Sequence, residues 1–116
     1  MISPVINAPV LALGIVSKHF ARNGKANPCA RHDLGAASAM LTVEATARGL
    51  CVHQMSGVET EQAHSAFALP EDQEVVTGLA IGYHGQDTGL DAAFAEREQA
   101  PRTRKPLEEV ALFRVD

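Results

Sequence analysis

Residues 27–49, NPCARHDLGAASAMLTVEATARG, decide how this chain reads. Asn27 is a good helix N-cap, and Pro28 suits the first helical position, where a missing N–H costs nothing. Gly49 stands where a left-handed glycine would close the helix. The interval of about twenty residues predicts a helix roughly 30 Å long. Ala30, Leu34, Ala37, Leu41 and Ala45 recur as one apolar stripe, and Ala36, Met40, Val43 and Ala47 as a second. Two stripes predict a core helix covered over most of its circumference, with one face available to a partner subunit. Its many alanines and Gly35 allow close approach of neighbouring backbones. Glu44 and Arg48 stand four apart, in the favourable order for a surface ion pair.

Strands are expected on both sides of this helix. Val10–Val16 is a continuous apolar run, which reads as a central strand buried on both faces. A central strand needs neighbours, so the sequence predicts that part of its fold lies outside the 116 residues. Asn23-Gly24 signals a turn. After the helix, CVHQMSG at 51–57 reads as a short strand that turns polar and ends on two small residues. Glu59 and Glu61 would open a second helix, with Ala63, Ala66 and Phe67 inward and Pro70 as its stop. EVVTGLAIGY at 74–83 reads as a buried strand, in which Gly78 and Gly82 mark close backbone approach. Gly85 and Gly89 punctuate a loop, and a short amphipathic helix is expected over Leu90–Gln99. An extended apolar tail with Val110, Leu112 and Phe113 follows. The order strand, helix, strand, helix, strand gives an α+β or α/β class, and the length of 116 residues gives one domain or part of one.

Bulk properties narrow the function. The formal charge of −4, the 4% aromatic content and the absence of Trp argue against a nucleic-acid surface. The longest apolar run, Ala8–Val16, is too short to span a bilayer, and no basic segment precedes it as a signal peptide would require. Cys29 and Cys51 form no CxxC, so free thiols in a cytoplasmic setting are expected. Cys51 and His53 share one face of a strand, but a buried structural thiol is the better reading of Cys51 than a catalytic pair. The five histidines lack metal-ligand spacing, so no metal site is expected. Gly24-Lys25 lacks the Ser/Thr of a P-loop, and no GxSxG is present.

The clearest chemical signal is basic. Arg97, Arg102, Arg104 and Lys105 hold four of the ten Lys and Arg. Pro101 and Pro106 pin the stretch between them, and an extended chain would point Arg102 and Arg104 the same way. Two co-directed guanidinium groups suit a phosphate. A solvated linker, charged for solubility, is the competing reading of the same residues.

Taken together, five segments resemble the C-terminal half of the FMN-dependent nitroreductase family. They are APVLALGIVSKHFARNGKAN, RHDLGAASAMLTVEATARGL, VHQMSGVE, ALPEDQEVVTGLAIGY and RTRKPLEEV, in the family's order. The resemblance implies an α+β fold with an antiparallel-rich sheet packed on a long central helix, its N-terminal portion missing. It implies a homodimer built through that helix and the C-terminal tail, with Leu107–Val115 adding to a partner's sheet. It further implies FMN as cofactor, NADH or NADPH as reductant, and a nitroaromatic or quinone-type acceptor. The flavin would carry the chemistry, so no catalytic side chain is implied. Met55, Ser56 and Gly57 would hold the flavin ring by their backbone, while Arg102, Arg104 and Lys105 would hold its phosphate. His53 and Gln54 would support the strand. Two departures stand out: the family's N-terminal Arg-Arg-Ser motif is absent, and Val58 replaces an aromatic residue. They leave a second reading, a non-catalytic remnant or dimerising module with weak or no flavin binding.

Overall fold

The computed structural model describes residues 7–85 and 89–112. They form two compact units, divided between Gly85 and Gln86.

The first unit holds a three-stranded antiparallel sheet in the order β1-β3-β2. Its strands are β1 (Val10–Ser17), β2 (Cys51–Met55) and β3 (Gln73–Gly82). The apolar run at 10–16 is therefore a strand as expected, but its place differs. β3 is the longest strand and pairs on both edges, so it takes the centre. β1 lies at an edge of the described sheet, and Val10 and Leu11 are half exposed or more. Val76 is extra in the ladder, because Thr77 faces Gly14 while Val75 faces Ile15. Such a bulge bends a strand and strengthens its twist.

Gly14 and Gly78 show why small residues sit in these strands. A Cβ on Gly14 would lie 2.3 Å from Thr77 Oγ1, and one on Gly78 would lie 2.9 Å from Val58 Cγ2. Gly82 is likewise covered by the ring of Pro9. The expected close approaches at Gly78 and Gly82 are present.

The long helix α1 spans Ala30–Ala47. It starts later than Asn27-Pro28 suggested. Asn27 Oδ1 instead accepts from Cys29 N (3.2 Å), and Asn27 O accepts from Ala30 N (3.3 Å), so the residue builds a turn leading into the helix. The other end is as expected. Gly49 has φ +77°, Leu50 N donates to Ala45 O (2.9 Å), and Gly49 N donates to Thr46 O (3.0 Å). This is a Schellman closure, which satisfies carbonyls that the helix leaves orphaned. Arg48 Nε also donates to Glu44 Oε1 at 2.7 Å.

Packing on α1 is narrower than two stripes implied. Leu34, Ser38, Thr42 and Ala45 lie on the covered side, whereas Met40 and Val43 are about two-thirds exposed. A single three-stranded layer covers only one side of a helix, so the second stripe stays open in the described residues. The core is correspondingly small: Val16, Ala45, Val75, Leu79 and Ala80, with Ser38 as the buried polar residue.

Helix α2 (Thr60–Ala66) packs on β3. Ala63 is half buried, but Ala66 and Phe67 are exposed, contrary to the inward placement expected for them. The helix ends at Ala66, and a second Schellman turn rotates Phe67 outward and returns Leu69 to a half-buried position. Leu69 N donates to His64 O and Ala68 N to Ser65 O, both at 3.1 Å. Here the left-handed residue is Ala68, at φ +47°.

The turn at Asn23-Gly24 is present, with Gly24 at φ +67° and Phe20 N donating to Lys25 O at 2.8 Å. A His19–Asp72 hydrogen bond and an Arg31–Glu74 ion pair tie this loop and the start of α1 to the entry of β3.

The second unit contains α3 (Ala92–Gln99), an irregular stretch over 100–106, and the single helical turn α4 (Leu107–Val110). Phe94 and Ala95 are half buried in it. The expected extended tail is thus helical at Leu107–Val110. Pro106 is extended (φ −62°, ψ 156°) and leads into the turn, while Glu108 and Glu109 supply the negative charge that favours a helix start. Phe113 and the residues after it lie outside the described residues. Among the described residues no helix is long and apolar enough to cross a membrane.

Candidate functional site

The exit of β2 is the best-defined candidate. Antiparallel pairing with β3 ends at Met55, opposite Gly78. Directly opposite residues share a face of the sheet, and successive residues alternate. Gln54, paired with Leu79, therefore lies on the α1 side, and Met55 lies on the other. Gln54 Nε2 donates to Thr42 Oγ1 at 2.9 Å, with Ser38 O at 3.4 Å, and Thr42 Oγ1 donates to Ser38 O at 2.8 Å. On the opposite face, the Met55 Cε and Val58 Cγ2 methyls close over Gly78. Side chains on either side of Ser56-Gly57 are thus anchored to helix and sheet.

Ser56 and Gly57 themselves are exposed. Gly57 has no positive φ, and a Cβ added there would meet nothing within 4 Å. Neither backbone conformation nor packing within the chain demands a glycine at this position. Its bare Cα leaves an open patch of main chain at the end of a pinned strand, which a flat ligand could approach closely.

The second unit carries the basic cluster. Arg102, Arg104 and Lys105 are exposed. Arg104 Nη1 donates to the adjacent Thr103 O at 2.8 Å. Among the described residues no carboxylate lies within ion-pair distance of these three cations. The stretch runs between Ala100 and Pro106, both extended. Free, unneutralised guanidinium groups are the donor set that a phosphate requires.

The remaining sequence candidates are simpler. Cys29 and Cys51 are free thiols, as expected, but both are exposed. Cys51 is therefore not the buried structural thiol that its apolar neighbours suggested. It sits at the start of an edge strand, on the face turned away from α1. No group of three or more His, Cys, Asp or Glu among the described residues could hold a metal ion. Gln54, expected to be a supporting residue, joins β2 to α1 through its side chain. Its amide contact to Thr42 has no signature in the sequence, because it joins residues from different elements.

No protein-family model matches the chain. An uncharacterized 15.4 kDa protein in the ask 5′ region of Mycolicibacterium smegmatis is 43% identical over 79 residues, which are 68% of this chain and 53% of that protein. Among solved structures, an oxidoreductase containing FMN aligns with 91% of this chain and 55% of its own, at 32% identity and a TM-score of 0.84. A nitroreductase family protein from Clostridium difficile 630 aligns with 96% of this chain and 62% of its own, at 20% identity and a TM-score of 0.68. The FMN and NADPH-dependent nitroreductase NfnB from Sphigopyxis sp. strain HMH aligns at 21% identity and a TM-score of 0.71, over 94% of this chain and 44% of its own. At their identities the last two speak to the fold alone. This chain spans about half the length of the proteins it matches.

Proposed function

From a nitroreductase-family fold carried over most of the chain, we propose a part of an FMN-dependent NAD(P)H oxidoreductase. The observation that carries the proposal is the open main chain at Ser56-Gly57, at the end of a strand anchored on both faces. When bound, FMN would supply hydride transfer from a reduced nicotinamide dinucleotide to a nitroaromatic or quinone-type acceptor.

The chain's own residues would bind and orient the group. Met55, Ser56 and Gly57 present backbone to the flavin ring, and a fixed N–H donor there steers charge without adding a competing acid. Gly57 keeps the approach free of a side chain. Arg102, Arg104 and Lys105 supply charge-assisted donors for the phosphate. The open stripe of α1, with Met40 and Val43 exposed and nothing within 4 Å of a Cβ on Gly35, offers a surface to a second copy.

The test is retention of flavin. The 116-residue chain is mixed with FMN, desalted, and its visible spectrum recorded before and after NADH or NADPH. A retained yellow band that bleaches on adding the nicotinamide supports the proposal. A colourless chain after saturation with FMN would overturn flavin binding by the 116 residues themselves and favour the non-catalytic reading. With flavin retained, replacing both Arg102 and Arg104 by Ala should weaken binding by about 2–4 kcal/mol, since charge-assisted hydrogen bonds are lost.

A further inference from the structure

We infer that Gln54 is a positioning residue, and that its amide clamp to α1 fixes the path of the Ser56-Gly57 backbone. The assignment of that backbone to a flavin rests on the function proposed above; the clamp itself rests on geometry alone. Three contacts make it. Gln54 Nε2 reaches Thr42 Oγ1 at 2.9 Å and Ser38 O at 3.4 Å, and Thr42 Oγ1 donates to Ser38 O at 2.8 Å. The hydroxyl is thereby used twice, as donor to its own helix and as acceptor from β2. Its orientation is set by its bond to the main-chain oxygen of buried Ser38.

The location gives the clamp its consequence. β2 is only five residues long, lies at an edge of the described sheet, and makes its last pairing at Met55. Beyond that point no further rung of the ladder holds the chain. Gln54 is the last residue of β2 on the α1 side, so its side chain fixes the strand end on that face. Met55 and Val58, over Gly78, hold the other face. A short edge strand held on one face only would fray, since terminal pairs open most readily. Two-sided anchoring instead delivers the next two residues in one conformation, and preorganisation of this kind lowers the ordering cost of binding.

The experiment compares Gln54→Ala, Thr42→Val, their combination, Thr42→Ser and Thr46→Ala in the full chain. Thr46 is the control, because its hydroxyl also bonds its own helix, to Thr42 O at 2.8 Å, without touching β2. The readout is the backbone amide order parameter of Gly57 by nitrogen-15 relaxation, where about 0.85 marks a rigid backbone and below about 0.6 a flexible one. Gln54→Ala and Thr42→Val should each drop Gly57 toward the flexible range. The combination should drop it no further than Gln54→Ala alone, because both single variants remove the shared Gln54–Thr42 contact. Thr42→Ser and Thr46→Ala should leave it rigid.

An unchanged Gly57 in both Gln54→Ala and Thr42→Val overturns the clamp. So does an equal loss in Thr46→Ala, which would mean that only the helix matters. A second arm titrates the same variants with FMN, where loss of one neutral hydrogen bond's worth of order should raise the dissociation constant about 3- to 10-fold. A loosened Gly57 with unaltered FMN affinity would confirm the clamp and overturn the flavin role of this backbone.

Discussion

Replacing Ala68 with glycine and Gly49 with alanine tests whether backbone conformation alone governs two helix ends of this protein. Both residues occupy the same place, the left-handed residue of a Schellman closure, one after α1 and one after α2. Nature has put glycine at the first (φ +77°) and alanine at the second (φ +47°). A Cβ in the left-handed region costs about 1–2 kcal/mol. Against this, glycine adds about 0.4–1 kcal/mol of entropy to the unfolded chain. The difference leaves about 0.5–1 kcal/mol in favour of glycine at each site. Packing does not blur the comparison, because a Cβ on Gly49 would meet nothing within 4 Å and Ala68 is exposed. Ala68→Gly should therefore stabilise, and Gly49→Ala should destabilise by a similar amount. Urea titration followed by circular dichroism would show opposite shifts in midpoint at unchanged slope. In a thermal melt each change corresponds to roughly 2–6 °C. Shifts of the same sign in the two variants, or a loss of stability in Ala68→Gly, would refute the reasoning.

Three further outcomes follow from the sheet and its exit. Gly14→Ala should cost about 1–3 kcal/mol, because its methyl would fall 2.3 Å from Thr77 Oγ1, and adding Thr77→Ala should recover part of that loss in a double-mutant cycle. Thr77→Val should stabilise by about 1 kcal/mol, since Thr77 Oγ1 is buried without a hydrogen-bond partner among the described residues; a fall in the urea midpoint would count against it. Gly57→Ala should leave the melting temperature within the equivalent of about 0.5 kcal/mol, because the methyl meets nothing, yet weaken FMN retention; a clear loss of stability would show that the fold itself uses this glycine.

Much of the fold is legible where a local rule acts alone. Gly49 announces the end of α1, Asn23-Gly24 the turn before it, and Gly78 and Gly82 the crowded points of β3. Reading failed where a residue's role depends on another element. Val10–Val16 is apolar enough for a central strand, yet the described residues give it a partner on one side alone, β3, and the sequence places the other outside the chain. Phe67 fits an inward helical position by spacing, but the helix ends at Ala66 and Phe67 already belongs to the closing turn that left-handed Ala68 completes. Val110 and Leu112 alternate like a strand, while Pro106 and the two glutamates after Leu107 start a helical turn there. The basic cluster was visible in the residues themselves, whereas the main-chain part of the site was visible only through resemblance. A backbone shelf has no side-chain signature, and Gln54 becomes meaningful only when Thr42 is placed beside it.

The strand order also bears on how the chain acquires its shape during synthesis. Among the described residues β1 and β2 are made before β3, and both pair there with β3 and not with each other. Until residues 73–82 leave the ribosome, β1 and β2 both lack the strand that each pairs with among the described residues. Such unpaired segments are the species most prone to misassociation. The last strand then organises both earlier ones at once, joining the two ends of the sheet through contacts distant in sequence. Sheet formation in this unit should consequently be late, abrupt and slower than the helix that precedes it.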